Sequence, residues 1–192
     1  MDPDAPVEKK NKKEIQKMSV SEIQEDVLEK ITYGFYIVTT RVGSEELSTR
    51  HKDYIAAGTV SWLMQSSFEP PMVTVAIQKD SDLNETIGRS KVFAVNILGK
   101  EDQPLINDFA GDSKIDKTHL NGYKYLNGMK TDSPILERGL GYLECEVEEI
   151  VDTQGDHVLF IGKIVNNELK EPNYQPLHEW ETGKHYGGFS DS

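Results

Sequence analysis

Hydrophobic positions change their period near residue 34. From Ser21 onward, Ile23, Val27 and Ile31 recur at helical spacing, Glu22 falls in the first turn, and Ser19 or Ser21 can serve as the cap. That pattern predicts a short amphipathic helix. Past Gly34 the chain breaks into short β-branched and aromatic runs separated by turns, and six strands are predicted, over residues 35–40, 58–64, 72–77, 91–98, 142–150 and 157–165. Pro70-Pro71 leads into the third, which suits a strand start because proline lacks a ladder donor. In the fifth, Leu143, Cys145 and Val147 alternate with Glu144, Glu146 and Glu148. A period of two predicts one buried face and one wet face, with Cys145 a small core hydrophobe and the glutamates solvated. Asp152 to Asp156 reads as a hairpin turn, and helices are expected over 83–90 and 103–110. Many strands with few helices favour a small antiparallel barrel, since closure removes exposed edges.

Composition narrows the function classes. The chain has 192 residues and one cysteine, enough for a single domain with a real core and too few thiols for a disulfide framework or a Cys-rich zinc site. The formal charge is −12, and −10 of it lies beyond residue 30. An acidic body opposes nucleic acid and anionic membranes as partners. The longest uncharged stretch, Tyr54 to Phe68, is too short and too polar to span a bilayer, and the N-terminus lacks a secretory pattern, so a cytoplasmic protein is expected. The first eighteen residues, dense in mixed charge, read as an extension without chemistry of its own.

Several motifs are absent: no GxGxxG after a strand, no GxxxxGK[ST], no HExxH and no GxSxG. The five histidines (His51, His119, His157, His178, His185) are scattered without metal-ligand spacing. What stands out is the density of hydroxyls in Ala56 to Leu83, where Thr59, Ser61, Ser66 and Ser67 interrupt runs that otherwise look like core. An unsatisfied buried hydroxyl costs about 1–3 kcal/mol. Either these groups bond local backbone at turns and edges, or they meet a polar non-metal ligand such as a phosphate or a ring with imide edges. The residues alone leave both open.

The segment GTVSWLMQSSFEPPMVTVAI closely resembles the flavin reductase-like family, FMN-binding proteins of the split β-barrel fold, whose pattern is T-x-S-W-x-x-Q-x-S-F-x-P-P before an apolar strand. The likeness continues in Lys91 to Leu98 (an F-x-V-N-x-L strand), in Tyr142-Leu143-Glu144-Cys145, in Gly155-Asp156-His157 with its following strand, and in His185-Tyr186-Gly187-Gly188. The resemblance implies a mainly β fold, a Greek-key-like antiparallel barrel with peripheral helices. It divides the chain into a charged extension with a short helix (1–30), a flavin reductase-like domain (31–188) and a short tail (189–192). It further implies that Thr59, Val60, Ser61 and Trp62 line the isoalloxazine, that Ser66, Ser67 and Phe68 lie along the ribityl chain and phosphate, and that Lys79 and Ser81 add phosphate contacts. Phe109 and the Ser113 to Lys117 loop would approach the flavin across a dimer interface. His157 and Tyr186 would face the nicotinamide. The implied activity is NAD(P)H-dependent flavin reduction by a homodimer, passing electrons through bound FMN to flavin or a redox partner protein.

Two departures accompany the likeness. Relatives often carry Ser or Thr two residues after the Ser81 position, whereas this chain has Leu83, and the insert Glu45 to Ala57 is longer than the usual loop. The alternatives are a flavoredoxin-like electron carrier not reduced directly by NAD(P)H, and a split-barrel protein holding another cofactor such as heme.

Overall fold

A computed structural model describes residues 25–43, 54–184 and 186. Thr32–Tyr186 forms one compact unit; in the other, Met1–Ile31 with Gly187–Ser192, the described element is a single helical turn, α1 (Glu25–Leu28). The expected helix start at Ser19 or Ser21, the charged extension and most of the Glu45–Ala57 insert lie outside the described residues.

The large unit is built on a seven-stranded antiparallel sheet. Its strands are β1 (Tyr36–Val42), β2 (Tyr54–Val60), β3 (Leu63–Phe68), β4 (Pro71–Gln78), β5 (Val92–Ile97), β10 (Gly141–Asp152) and β11 (His157–Leu169), in the order β2-β1-β5-β10-β11-β4-β3. This is the mainly β architecture that the pattern predicts. The run expected over 58–64 is two strands: β2 starts earlier, at Tyr54, and the chain turns at Ser61-Trp62 before entering β3. Strand periodicity does not register such a corner, because both flanks are apolar.

Strand β1 lies between two cores. Val38 joins Val60, Val75, Ile77, Leu83, Ile87, Phe93, Val95, Cys145 and Phe160 inside the curved sheet. Its neighbour Ile37 faces the other way, into Phe35, Ile55, Leu98, Leu105, Phe109, Leu120 and Leu136. Side chains alternating along one strand therefore feed two apolar clusters. The second cluster is roofed by the excursion between β5 and β10. There the helix expected over 103–110 is a 3₁₀ turn (Lys100–Asp102) followed by α3 (Pro104–Asp108). Four strands not foreseen follow: β6 (Ile115–Asp116), β7 (His119–Leu120), β8 (Tyr123–Asn127) and β9 (Pro134–Leu136). Asn96 pins this roof to the sheet, its Nδ2 donating to the Ile37 carbonyl at 3.1 Å and its Oδ1 accepting from the Leu136 N–H at 2.8 Å.

The helix expected over 83–90 is α2 (Asp82–Ser90), capped by Ser81, whose hydroxyl accepts from the Asn84 N–H at 3.2 Å. Leu83, Thr86 and Ile87 are its buried face. Gly58 is fixed by this packing: a Cβ there would lie 3.2 Å from Leu83 Cδ2.

The fifth predicted strand carries a correction. Glu144 is wholly buried, next to the equally buried Cys145, while Glu146 and Glu148 are exposed. A register shift between Glu144 and Cys145 breaks the alternation and places consecutive residues inside. The Glu144 carboxylate is then fully engaged. Oε1 accepts from Met129 N–H (3.0 Å) and Asn166 Nδ2 (2.7 Å), and Oε2 from Lys130 N–H (3.0 Å), Thr131 N–H (2.8 Å) and Thr131 Oγ1 (2.9 Å). Burial pushes its pKa up, but these donors outweigh burial and hold it below the ordinary value. Cys145 is buried as expected, and burial, with Glu144 beside it, pushes its thiol up to about 12.

Candidate functional site

A cleft of about 490 Å³ opens between β2, the turn from β4 into α2, and the segment following α3. One wall is Ala57, Gly58, Thr59 and Val60; the opposite walls carry Ala76 to Gln78, Asp80 to Leu83, Ile106, Asn107, and Phe109 to Ser113. The size is in the range of small-molecule sites, which run ~300–1,000 Å³. The segment after α3 is tied to β2 within the same chain. The Phe109 carbonyl accepts from the Thr59 N–H at 3.1 Å, Thr59 Oγ1 donates to the Ile106 carbonyl at 2.9 Å, and Ser113 Oγ accepts from the Ala57 N–H at 2.9 Å. These bonds cover an edge strand that would otherwise present unpaired backbone.

Of the residues singled out in the sequence, Thr59, Val60, Ser81, Phe109 and Tyr186 line this cleft. Ser61 and Trp62 form the corner between β2 and β3 that borders it, with the Trp62 carbonyl accepting from the N–H of cleft-lining Ala76 at 3.0 Å. Ser61 Oγ and Trp62 Nε1 are both buried and have no hydrogen-bond partner. Such groups are rare in folded chains and each calls for an explanation; among the described residues Ser133 Oγ, in the turn before β9, is another, and what sets Ser61 and Trp62 apart is the cleft beside them. Beside them stands an aromatic cluster. The Trp62 ring is 4.7 Å from His157 and 5.2 Å from Tyr186, with Tyr33 at 6.3 Å. His157 Nδ1 bonds Asp156 Oδ1 at 2.7 Å and Nε2 bonds Tyr186 Oη at 3.0 Å. A carboxylate at Nδ1 favours the proton there and leaves Nε2 to accept from the phenol. The Tyr186 phenol is pushed up by burial and then by Asp156 and Asp80.

The remaining residues lie elsewhere. Ser66, Ser67 and Phe68 are on β3, whose register pairs it with β4; Ser66 is exposed and Phe68 is 90% exposed. Lys79 reaches Asp152 Oδ1 at 2.6 Å. The Ser81 hydroxyl is spent on the Gln78 carbonyl at 2.8 Å and on its helix cap. Lys117 is exposed outside the cleft lining. His185 lies outside the described residues. Sequence reasoning passes over Asp80, Asp82, Asp112 and Lys184, all of which line the cleft. The first two flank Ser81 in the sequence and were a readable signal. Asp112 and Lys184 have no local pattern and are brought in by loops. Tyr54 Oη donates to Asp82 Oδ2 at 2.8 Å, and burial, Asp82, Glu85 and Asp112 push that phenol up to about 12.

Among the described residues no group of three or more His, Cys, Asp or Glu is placed to hold a metal ion, and no helix is long and apolar enough to cross a membrane. A tricyclic ring with one polar edge suits the cleft: two orphaned polar atoms border it, and its strand wall is held open by short side chains at Ala57 and Gly58.

The chain belongs to the flavin reductase-like family, whose domain description (flavin reductase like domain) matches residues 28–188. Diflavin flavoprotein A 1 of Synechocystis sp. is 30% identical over 169 residues, covering 84% of this chain and 27% of that protein. The chain thus spans about a quarter of the length of such curated relatives. Among solved structures, flavin reductase HpaC complexed with NADP+ aligns with a TM-score of 0.66 at 26% identity, covering 87% of this chain and 97% of that one. Flavin reductase PheA2 aligns with a TM-score of 0.65 at 25% identity, covering 86% and 95%. The NADH:FAD oxidoreductase SgcE6 of Streptomyces globisporus shares the fold, with a TM-score of 0.66 at 18% identity over 79% and 84%.

Proposed function

We propose that this protein is an NAD(P)H-dependent flavin reductase that uses FMN and works as a homodimer, handing electrons to free flavin or to a redox partner protein. One observation carries the reading: two buried polar atoms, Ser61 Oγ and Trp62 Nε1, stand without partners at the edge of a cleft large enough for an isoalloxazine. When bound, the flavin supplies the hydride-accepting chemistry, so the protein needs no acid–base dyad of its own. Its residues bind and orient. The Thr59–Val60 wall and the Ser61–Trp62 corner receive the ring, and Thr59 is held in place by its bonds to Ile106 and Phe109. His157 and Tyr186, locked to each other and to Asp156, form the flank against which a nicotinamide would be positioned.

The homodimer is supported by β3. That edge strand exposes Met64 at 60% and Phe68 at 90%, and long apolar edges are normally covered by another chain. Sedimentation should give a dimer at micromolar concentration, and a stable monomer would remove this part of the reading. For the activity, the protein is loaded with FMN and mixed anaerobically with NADH or NADPH. Bleaching of the flavin band is expected. Retention of FMN with no bleaching by either nucleotide over minutes would replace the reductase with an electron carrier.

A further inference from the structure

The cleft has the wrong charge for the far end of an FMN molecule. Its lining includes three aspartates, Asp80, Asp82 and Asp112, and one cation, Lys184, among the described residues. Lys184 Nζ is itself bonded to Asn107 Oδ1. Of the residues expected at a phosphate, Ser66 and Ser67 lie on β3 outside the cleft lining, and Lys79 and Ser81 have partners in the chain. Lys79 is paired with Asp152, which also accepts from the Gln154 N–H at 2.8 Å, so that carboxylate is fixed where it meets the ammonium. The Ser81 hydroxyl serves the Gln78 carbonyl and the Asn84 N–H. Leu83, at the position where relatives often carry Ser or Thr, has no hydroxyl and is 6% exposed, packed into the barrel core. Arg89, further along α2, is paired with Glu85 at 3.1 Å. The first turn of α2 carries Asp82 and Glu85, which already answer the positive end of the helix.

Resting on the flavin reading above, we infer that this site recognises its flavin by the ring alone, and that the acidic lining of the cleft makes riboflavin and FMN near-equal substrates. Among the described residues, a phosphate dianion brought beside Asp80 and Asp112 finds one lining cation, Lys184, against three aspartates and so meets net like charge, whereas the isoalloxazine gains the orphaned Ser61 and Trp62 groups in either ligand. Flavin held only by its ring exchanges more readily than one anchored at both ends, which suits a protein that passes reduced flavin on.

The test is a pair of titrations of the full chain with riboflavin and with FMN, followed by flavin fluorescence at two ionic strengths. The two affinities are expected to lie within about threefold of each other at ~0.15 M salt, with FMN gaining on riboflavin as salt screens the aspartates. Lys79→Ala should change neither affinity by more than about twofold, the scale of an exposed ion pair. Asp80→Asn combined with Asp112→Asn should raise FMN affinity by about threefold to tenfold and leave riboflavin where it was. FMN binding tenfold or more tighter than riboflavin at low salt, or a Lys79→Ala loss confined to FMN, would overturn the inference while the flavin reading stands. Failure of both flavins to bind would remove the flavin reading, and this inference with it.

Discussion

Two buried polar clusters in this protein behave oppositely in the fold. At Glu144 a carboxylate sits at zero exposure, and its oxygens are filled by backbone N–H groups of 129–131, by the Thr131 hydroxyl and by the Asn166 amide. At Ser61-Trp62 a hydroxyl and an indole N–H are equally removed from water and have no partner in the chain. A buried group answered by its own protein spends its polarity on holding a loop; a buried group left open costs stability and keeps its polarity for something else. The contrast sets polarity that holds a loop against polarity left open beside a cleft. It also explains the position of each. Glu144 fixes the β8–β9 turn over the sheet, and a Cβ at Gly128 would come within 2.3 Å of its Oε2. The Ser61-Trp62 corner borders the cleft and the aromatic cluster.

The contrast can be broken most severely at Glu144. Glu144→Gln replaces one acceptor oxygen with a donor facing N–H groups, and roughly 2–4 kcal/mol of stability should be lost, read from urea unfolding at neutral pH. A loss under about 1 kcal/mol would mean that the N–H cluster finds water instead. The same carboxyl has a depressed folded pKa, so its stabilisation is complete above the unfolded value of about 4.3 and is lost as pH falls through the lower folded value. Wild-type stability should therefore decline below about pH 4 in a way that Glu144→Gln does not share.

Ser61→Ala should do the reverse. Removing an unanswered hydroxyl leaves unfolding stability within about 1 kcal/mol of wild type or slightly above it, while flavin affinity falls about fivefold to tenfold. Lost stability with intact flavin binding would place Ser61 with Glu144, as a structural group. A smaller effect is expected at the flank. His157→Ala should slow flavin bleaching by NAD(P)H by about threefold to fivefold, the scale of one positioning contact. Reduction by dithionite, which needs no docking, should be untouched, and equal slowing with both reductants would show damage to the flavin site itself. The least effect belongs to Cys145. With its thiol pushed up to about 12 and no exposure, an aromatic disulfide reagent at pH 8 should modify it only at the rate of unfolding, and rapid labelling of the native protein would contradict its burial.

Much of the strand inventory is legible from pattern. β1, β4, β5, β10 and β11 are found close to where alternation and turn residues put them, because each is long enough for burial to impose a period. The roof strands β6 to β9 are not legible. Two have two residues and β9 has three, too short for a period to show, and in β8, where burial does alternate, the exposed face carries Leu126 beside Lys124, so polarity does not mark it. The site divides in the same way. Thr59 and Ser61 stand out in the chain as hydroxyls in an apolar run, and Val60 and Trp62 join them through the family resemblance. The meeting of Trp62, His157 and Tyr186 spans well over a hundred residues and depends on β11 pairing with β4 and on the segment after Gly183 returning to the same end of the sheet.

Local pattern along the chain already carries the mainly β class, the strand segments with strong alternation and the burial of Cys145, and it marks Thr59 and Ser61 as hydroxyls in an apolar run. These follow from local chemistry, since period, turn residues and a hydroxyl in an apolar run are properties of neighbours along the chain. Folding places Glu144 inside, pairs Lys79 with Asp152 and gathers Asp80, Asp82 and Asp112 in one cleft. The physical reason is that a one-residue register shift moves a side chain from one face to the other, and the charge at a point is summed over groups that only folding brings near.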